Sequence, residues 1–416
     1  MSGRERVRPR AMASRRGTAP PRAVASRRGT ARAAPAARVA LTTTTARATA
    51  ALLALVTLTA ALLATSAPAA AQVDLGFGAG AAFERYDFSD AELAGIESLS
   101  LLSFPFVGRA DLTPRLRLDL NGAYAIGTLS RPGEEESSVS GPTDTELRLS
   151  YAFGADRVVV SLVALLPTGL ATLSTEEADV AGAVAADVLP FRISNWGTGG
   201  GLGASTAFAV PVGAFAVGLS LGYVVTREYE PRDADPFTYR PGDQLHVRAA
   251  IDRSFGAAGK ASLQLVYQHY QNDELDGANL YQSGDRLQAT GSYAFAAGPR
   301  AAGIVYLGYL RRSEGEFSGI TRIVPAQDLV FTGGGFRVPF GSILLAPSLD
   351  LRLVSRADGA EEGYTAAFGV AAEMAAGSVL LVPSLRGRVG NVVLSEGVES
   401  GFTGFDIGFG VRFGGF

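Results

Sequence analysis

Residues 116–126 read Leu-Arg-Leu-Asp-Leu-Asn-Gly-Ala-Tyr-Ala-Ile, an alternation in which one parity is apolar and the other carries the charges. The same alternation returns at 144–153 and at 343–353. Side chains point to opposite faces along a β-strand, so the pattern predicts strands with one face in an apolar medium and one in a polar medium. The stretches run about 10 residues or more, the length that a tilted strand needs to cross a bilayer. The pattern therefore predicts membrane-spanning β-strands.

Sixteen such stretches follow residue 72, and we expect an all-β fold: a transmembrane, antiparallel, up-and-down β-barrel of about 16 strands. The alternatives are 14 or 12 strands, if weak stretches such as 98–111 or 326–338 are not strands. Short turns rich in Gly, Pro and Asp alternate with longer acidic connections, an asymmetry typical of bacterial outer-membrane barrels. The predicted strands are residues 73–86, 98–111, 114–128, 141–154, 157–169, 196–210, 214–227, 241–255, 260–271, 284–296, 300–311, 326–338, 342–355, 364–374, 378–390 and 402–413.

Residues 1–71 are predicted to be an Arg-rich extension and a cleavable signal peptide, which leaves residues 72–416 as the outer-membrane β-barrel. An apolar run at 48–64 is followed by Ala69-Ala70-Ala71, the small-residue pattern that a signal peptidase requires. A single membrane-spanning helix is disfavoured because the run is short and interrupted by threonines. We interpret the Arg-rich part as an over-extended gene start.

The charge balance of the chain changes when this segment is set aside. Residues 72–416 hold 25 basic and 39 acidic residues, a net charge of −14, because the first 71 residues hold 12 arginines and a single acid. A strongly acidic chain argues against nucleic acid as a partner. The chain has no cysteine, which excludes disulfides and thiol chemistry.

The cost of burying charge decides which face of each strand meets lipid. A Lys or Arg on the lipid face near mid-membrane costs roughly 2–4 kcal/mol, so we expect the apolar parity outside and the polar parity inside. A barrel of about 16 strands is wide enough to leave an aqueous channel. A solvated inner wall or a paired charge network is the alternative role for the inward charges. The candidate lumen and selectivity residues are Arg115, Arg117, Glu146, Arg148, His246, Arg248, Asp350, Arg352, Arg386 and Arg388.

The third long connection, residues 170–195, is the longest and is partly apolar. It resembles the third loop of porins, which in many members folds inward and constricts the pore. That resemblance implies constriction-loop residues at Asp187, Phe191, Arg192 and Trp196. A surface cap and an extra hairpin are the alternatives.

The last predicted strand is similar to a known assembly signal. Residues 405–413, Phe-Asp-Ile-Gly-Phe-Gly-Val-Arg-Phe, resemble the C-terminal assembly signal of outer-membrane barrels. The resemblance implies the barrel-assembly machinery as a partner. The chain departs from the signal because it continues to Phe416, which is out of phase with Phe413.

Another resemblance covers roughly residues 158–255. Leu166-Pro167-Thr168-Gly169, Gly197-Thr198-Gly199 and Tyr239-Arg240-Pro241-Gly242-Asp243 are similar to landmarks of the outer-membrane transporters of the meta-pathway of phenol degradation. Members of that family are thought to admit small, often hydrophobic, organic molecules. This chain departs from the family after Gly199, where Gly200-Gly201 stand in place of a Ser-x-Asp.

Together these features predict a channel or transporter of the bacterial outer membrane for passive or facilitated uptake of small solutes, hydrophobic organic compounds among them. Its surroundings would be outer-membrane lipid and lipopolysaccharide. The sequence is compatible with a homo-oligomer. A structural or adhesive barrel without an open pore is the alternative. An enzyme is the least favoured class, because the two histidines, His246 and His269, have no catalytic partner at a diagnostic spacing. We expect no cofactor and no metal, since no metal-ligand cluster stands out.

Overall fold

The computed structural model describes residues 74–154, 157–186, 189–234, 237–256, 259–298, 300–319, 321–359, 363–395 and 398–414. The predicted signal peptide and Phe416 lie outside these ranges. No helix within these ranges is long and apolar enough to span a membrane.

Strands dominate the described residues. Two short helices are α1 (Ala91–Ala94) and α2 (Thr175–Val184). The strands are β1 (Asp74–Phe88), β2 (Ser98–Thr113), β3 (Leu116–Ser130), β4 (Ser137–Pro142), β5 (Thr145–Phe153), β6 (Val158–Leu166), β7 (Gly201–Val212), β8 (Phe215–Thr226), β9 (Tyr239–Arg240), β10 (Gln244–Ser254), β11 (Gly259–Tyr270), β12 (Asn272–Leu275), β13 (Ala278–Gln282), β14 (Arg286–Ala296), β15 (Ala302–Arg312), β16 (Gly315–Phe317), β17 (Ile323–Val324), β18 (Gln327–Phe340), β19 (Ile343–Arg356), β20 (Gly363–Ala376), β21 (Val379–Ser395) and β22 (Val398–Phe413).

Sixteen strand positions close one antiparallel barrel. Successive wall strands pair with each other, and the first pairs with the last, from Phe77 opposite Phe413 to Phe88 opposite Phe402. One position is shared by β4 and β5, which both pair with β3. The predicted barrel of 16 strands is confirmed. The alternatives of 14 and 12 are wrong, because the two weak stretches form β2 and β18.

The outer wall of this barrel is apolar. Leu162, Leu202, Leu307, Leu353 and Phe368 are each more than half exposed, and each belongs to the parity predicted to face lipid. Their neighbours along each strand point inward. Tight turns close one rim and long connections close the other. At the short-turn rim, glycines with a left-handed φ of 58–64° follow β5, β7, β18 and β20, a conformation that glycine adopts without strain.

The long connections build a second sheet that the sequence analysis did not predict. Its five strands follow the order β17-β16-β13-β12-β9, so three neighbouring connections pair beyond the barrel rim. Gly242 and Gly284 mark the border between the two sheets. A Cβ on either glycine would collide with a backbone oxygen, of Gln271 and Ser313 respectively. Glycine is therefore required at both border positions.

An aspartate follows each border glycine and receives a hydrogen bond from a tyrosine on the neighbouring wall strand. The Tyr223 hydroxyl donates to Asp243 over 3.0 Å, and the Tyr267 hydroxyl donates to Asp285 over 2.6 Å. His269, predicted on the outward parity, also contacts Asp285, at 2.8 Å. Tyrosine and histidine have an apolar ring and a polar tip, so these contacts mark the border between the barrel and the second sheet.

Candidate channel lumen

Two regions of the inner surface of the barrel differ in what covers them. The third long connection, here residues 167–200, packs against the inward faces of β1–β4, β21 and β22, which we name the covered wall. The inward faces of β5–β8 and β10 carry polar and charged side chains around a shallow pocket, and we name them the open wall.

Helix α2 anchors the third long connection by its apolar face. It begins at a capping box in which the Ser174 hydroxyl accepts the Glu177 amide and the Glu177 carboxylate accepts the Ser174 amide. Val180 and Val184 lie four residues apart, so they project from one face, and both are fully buried. They pack in one cluster with inward-facing residues of the covered wall, among them Leu99, Leu101, Leu129 and Val392.

Trp196 holds the other end of the connection in place. Its indole N–H donates to the backbone oxygen of Ala125 over 3.1 Å, and its side chain is buried. The absence of a side chain at Gly127 leaves space for the indole ring, because a Cβ there would lie 2.9 Å from it. Phe191 meets the ring of Tyr86 edge-on at 4.9 Å between centroids. Trp196 had been predicted to lie at the start of a strand as well, but β7 begins at Gly201.

A charge cluster of Glu84, Arg192, Arg388 and Asp406 joins the connection to the covered wall. The Arg192 guanidinium reaches Asp406 at 2.8 Å, and the Arg192 amide donates to Glu84 over 3.1 Å. Arg388 contacts Glu84 at 3.2 Å and Asp406 at 3.4 Å. Glu84, Arg388 and Asp406 are at most 5% exposed, so their attraction is weakly screened. Two carboxylates and two guanidiniums balance, as buried charges require.

Asp144 fastens the base of the connection and explains the break between β4 and β5. Its carboxylate accepts the Gly169 amide over 3.0 Å, and both the amide and the hydroxyl of Thr198 over 2.7 Å. Tyr229, from the next long connection, packs on Gly199. Burial, together with the nearby Asp144 charge, raises the pKa of Tyr229 to about 12.

Four of the predicted lumen residues meet on the open wall. Arg148 and Glu146 form an ion pair of 2.9 Å. His246 contacts Gln244 at 3.2 Å through Nε2 and Gln268 at 3.1 Å through Nδ1. Arg248 is exposed on the inward parity of the same strand. Within the described ranges, no group of three or more His, Asp and Glu residues is arranged to hold a metal ion.

The other predicted lumen residues lie elsewhere on the inner wall. Arg117 pairs with Asp111 at 2.7 Å near the short-turn rim. Arg386 reaches Asp350 at 3.6 Å, and Asp350 also accepts from Tyr306. Arg352 is partly buried on the inward parity of β19, and Arg388 belongs to the charge cluster.

The predicted strand at 114–128 starts too early, because Arg115 lies in the tight turn before β3, where its amide donates to the Thr113 hydroxyl. Pro114 supports that turn, since its ring presets φ and it lacks an N–H for the sheet. Asp187, a predicted constriction-loop residue, lies outside the described residues.

Sequence reasoning missed the acidic half of the charge cluster. Glu84 and Asp406 are acids on the inward parity of β1 and β22; the first lies in the predicted strand 73–86, and the second lies in the predicted assembly signal. An acid beside a glycine or an alanine on the same face of each strand was the available signal. Ser205 and Ser220 of the open wall were missed too, because serine is common and has no diagnostic spacing.

No protein-family model matches the chain, and no curated protein matches it. Among solved structures it is similar to mutants of the Rh. blastica porin. One mutant with two substitutions is 15% identical with a TM-score of 0.37, and the match covers 82% of this chain and 99% of that chain. Another with three substitutions is 14% identical with a TM-score of 0.37 over the same shares. A triple mutant described as Rhodopseudomonas blastica porin is 14% identical with a TM-score of 0.36, again covering 82% and 99%.

Proposed function

We propose that the protein is a channel of the bacterial outer membrane through which small solutes cross passively or by facilitated diffusion. The observation that carries this proposal is the contrast between an apolar outer wall and a charged inner wall in a closed barrel of 16 strands. Barrels of this size leave an aqueous passage instead of filling with their own side chains. Arg148 and Arg248 on the open wall then line a hydrated path.

The inward-folded third connection serves in this proposal as the constriction. Its charge cluster and the buried Trp196 fix it to one wall, so the passage runs between it and the open wall. Arg192 keeps 45% of its side chain exposed while bound to Asp406, so part of this side chain stays accessible to passing solutes. The resemblance to the phenol-degradation transporters suggests that small hydrophobic organic compounds are among those solutes.

The surroundings of the channel follow from the same features. The apolar outer wall suits outer-membrane lipid and lipopolysaccharide, and insertion would use the barrel-assembly machinery that recognises the last strand. A transport role without catalysis agrees with His246, which is held between two glutamines and contacts no nucleophilic side chain in the described part of the chain.

Single-channel recording of the purified protein in planar bilayers tests the proposal. We expect stable open steps whose ion selectivity responds to substitutions on the open wall. A barrel that inserts, as judged by heat-modifiable migration on gels, but never conducts would overturn it. That result would favour the structural-barrel alternative, for which the close-packed contacts of the third connection inside the barrel are the supporting observation.

A further inference from the structure

The pocket on the open wall has a volume of about 270 Å³ and draws on five wall strands. Its floor is partly apolar, with Val163 and Leu165 of β6. Its polar part includes Arg148, Arg248 and His246. The pocket therefore combines an apolar surface with positive charge, a pairing that suits an amphipathic solute.

The pocket has one positive charge that no acid compensates. Arg148 is neutralised by Glu146 at 2.9 Å. His246 receives a hydrogen bond from Gln268 at Nδ1 and donates one from Nε2 to Gln244, the pattern of a neutral imidazole. Arg248 has neither an ion pair nor a hydrogen bond to any described residue. The pocket accordingly has a net charge of +1.

Strand register brings two hydroxyls beside this free guanidinium. Ser220 of β8 lies directly opposite Arg248 of β10. Ser205 lies opposite Gly222, which in turn lies opposite His246. Because Gly222 has no side chain, the space between the Ser205 hydroxyl and the imidazole stays free; a Cβ there would lie 3.1 Å from that of Ser205.

We propose that this pocket, the arginine pocket, binds the carboxylate of a small monoanionic organic solute on its way through the barrel. The guanidinium of Arg248 presents two N–H groups in the geometry that a carboxylate accepts. Ser220 and Ser205 supply further donors, and the short hydrocarbon part of the solute lies against Val163 and Leu165. This inference rests on the proposed channel function and names a class of solute for it.

Open-channel block with a pair of matched probes tests the inference. Butyrate and butyramide have nearly the same shape, but butyrate alone carries a negative charge. We expect butyrate to reduce the current of the wild-type channel at concentrations where butyramide does not. Arg248→Gln should weaken the butyrate block by about tenfold or more, because it removes a charge-assisted hydrogen-bond pair.

Arg117→Gln is the matched control, since it also removes one lumen arginine but lies at the short-turn rim in an ion pair. Its block by butyrate should stay within about twofold of the wild type. If both variants lose butyrate block equally, the arginine pocket is not the binding site, and the charge of the whole lumen accounts for the block. A wild-type channel that opens but responds equally to both probes also overturns it, whereas absence of any channel refutes the proposed function instead. Should Arg248→Gln fail to assemble, Ser220→Ala tests the same pocket, and unchanged block in that variant counts against it.

Discussion

The covered wall and the open wall are built from strands of the same alternating type, but their charged side chains differ in burial and pairing. On the covered wall Glu84, Arg388 and Asp406 are buried and balanced against Arg192 from the third connection. On the open wall 42% of the Arg148 side chain stays exposed, and Arg248 has no partner among the described residues. Inward parity alone therefore does not determine whether a charged side chain is buried or exposed in the lumen. The packing of the third long connection determines it.

Removing one member of the charge cluster should produce the largest difference between the walls. Arg388→Met leaves Glu84 and Asp406 under-compensated in a dry site, so we expect a loss of about 3–5 kcal/mol in the free energy of unfolding. Arg148→Met on the open wall should cost less than about 1 kcal/mol, because that pair is hydrated. Urea-induced unfolding in lipid vesicles measures both, and equal losses would contradict the contrast.

Both walls belong to the inward face of the barrel, and a pair of adjacent substitutions tests that assignment. Leu263 is nearly half exposed on the outward parity of β11, and Gln264 follows on the inward parity. Leu263→Arg should cost about 2–4 kcal/mol near mid-membrane and lower the yield of folded, heat-modifiable barrel. Gln264→Arg should assemble normally. Normal yield from both variants would refute the assignment of faces.

Filling the space beneath Trp196 should loosen the packing of the covered wall and leave the open wall unchanged. Gly127→Val pushes against the indole, and overpacking of this kind typically costs about 1–3 kcal/mol. Trp196 is the sole tryptophan of the chain, so acrylamide quenching of its fluorescence reports the change directly. Quenching should rise in this variant and stay unchanged in Gly387→Val, where an added Cβ meets no atom within 4 Å.

The smallest effect on stability is expected at the short-turn end of the lumen. Arg117→Glu breaks an ion pair with Asp111 that is partly exposed, so the free energy of unfolding should fall by less than about 1 kcal/mol. Ion selectivity should shift toward cations, because two acids then face the same mouth. The reversal potential in a salt gradient measures the shift. An unchanged reversal potential in a correctly assembled variant would remove Arg117 from the selectivity residues.

The barrel could be predicted from the sequence because alternation is a local property that each strand carries by itself. The packing of the third connection could not, since it depends on which side chains of distant strands meet. One signal was available: Leu99, Leu101 and Leu129 are large and apolar on the parity that elsewhere carries charge. Apolar residues on an inward face indicate that something other than water covers it.

The second sheet escaped prediction for a different reason. Its strands are two to five residues long, too short to show an alternation. The repeated dipeptide Gly-Asp, at 242–243 and again at 284–285, was the signal for the border beneath it. That dipeptide had been attributed to a family resemblance at its first occurrence. Its role there is steric, because a backbone oxygen occupies the space of a side chain.

The charge cluster also indicates the order in which parts of the barrel fold. Arg388 and Glu84 are 304 residues apart in sequence, and Arg192 and Asp406 are 214 apart. Hairpins between neighbouring strands can form early because their loops are short, whereas contacts across such separations form late. Both pairs involve β1 or β22, the two strands that meet at the seam. The cluster can therefore be complete only after β1 and β22 have paired, so formation of the Glu84–Arg388 contact marks closure of the barrel as the final step of folding.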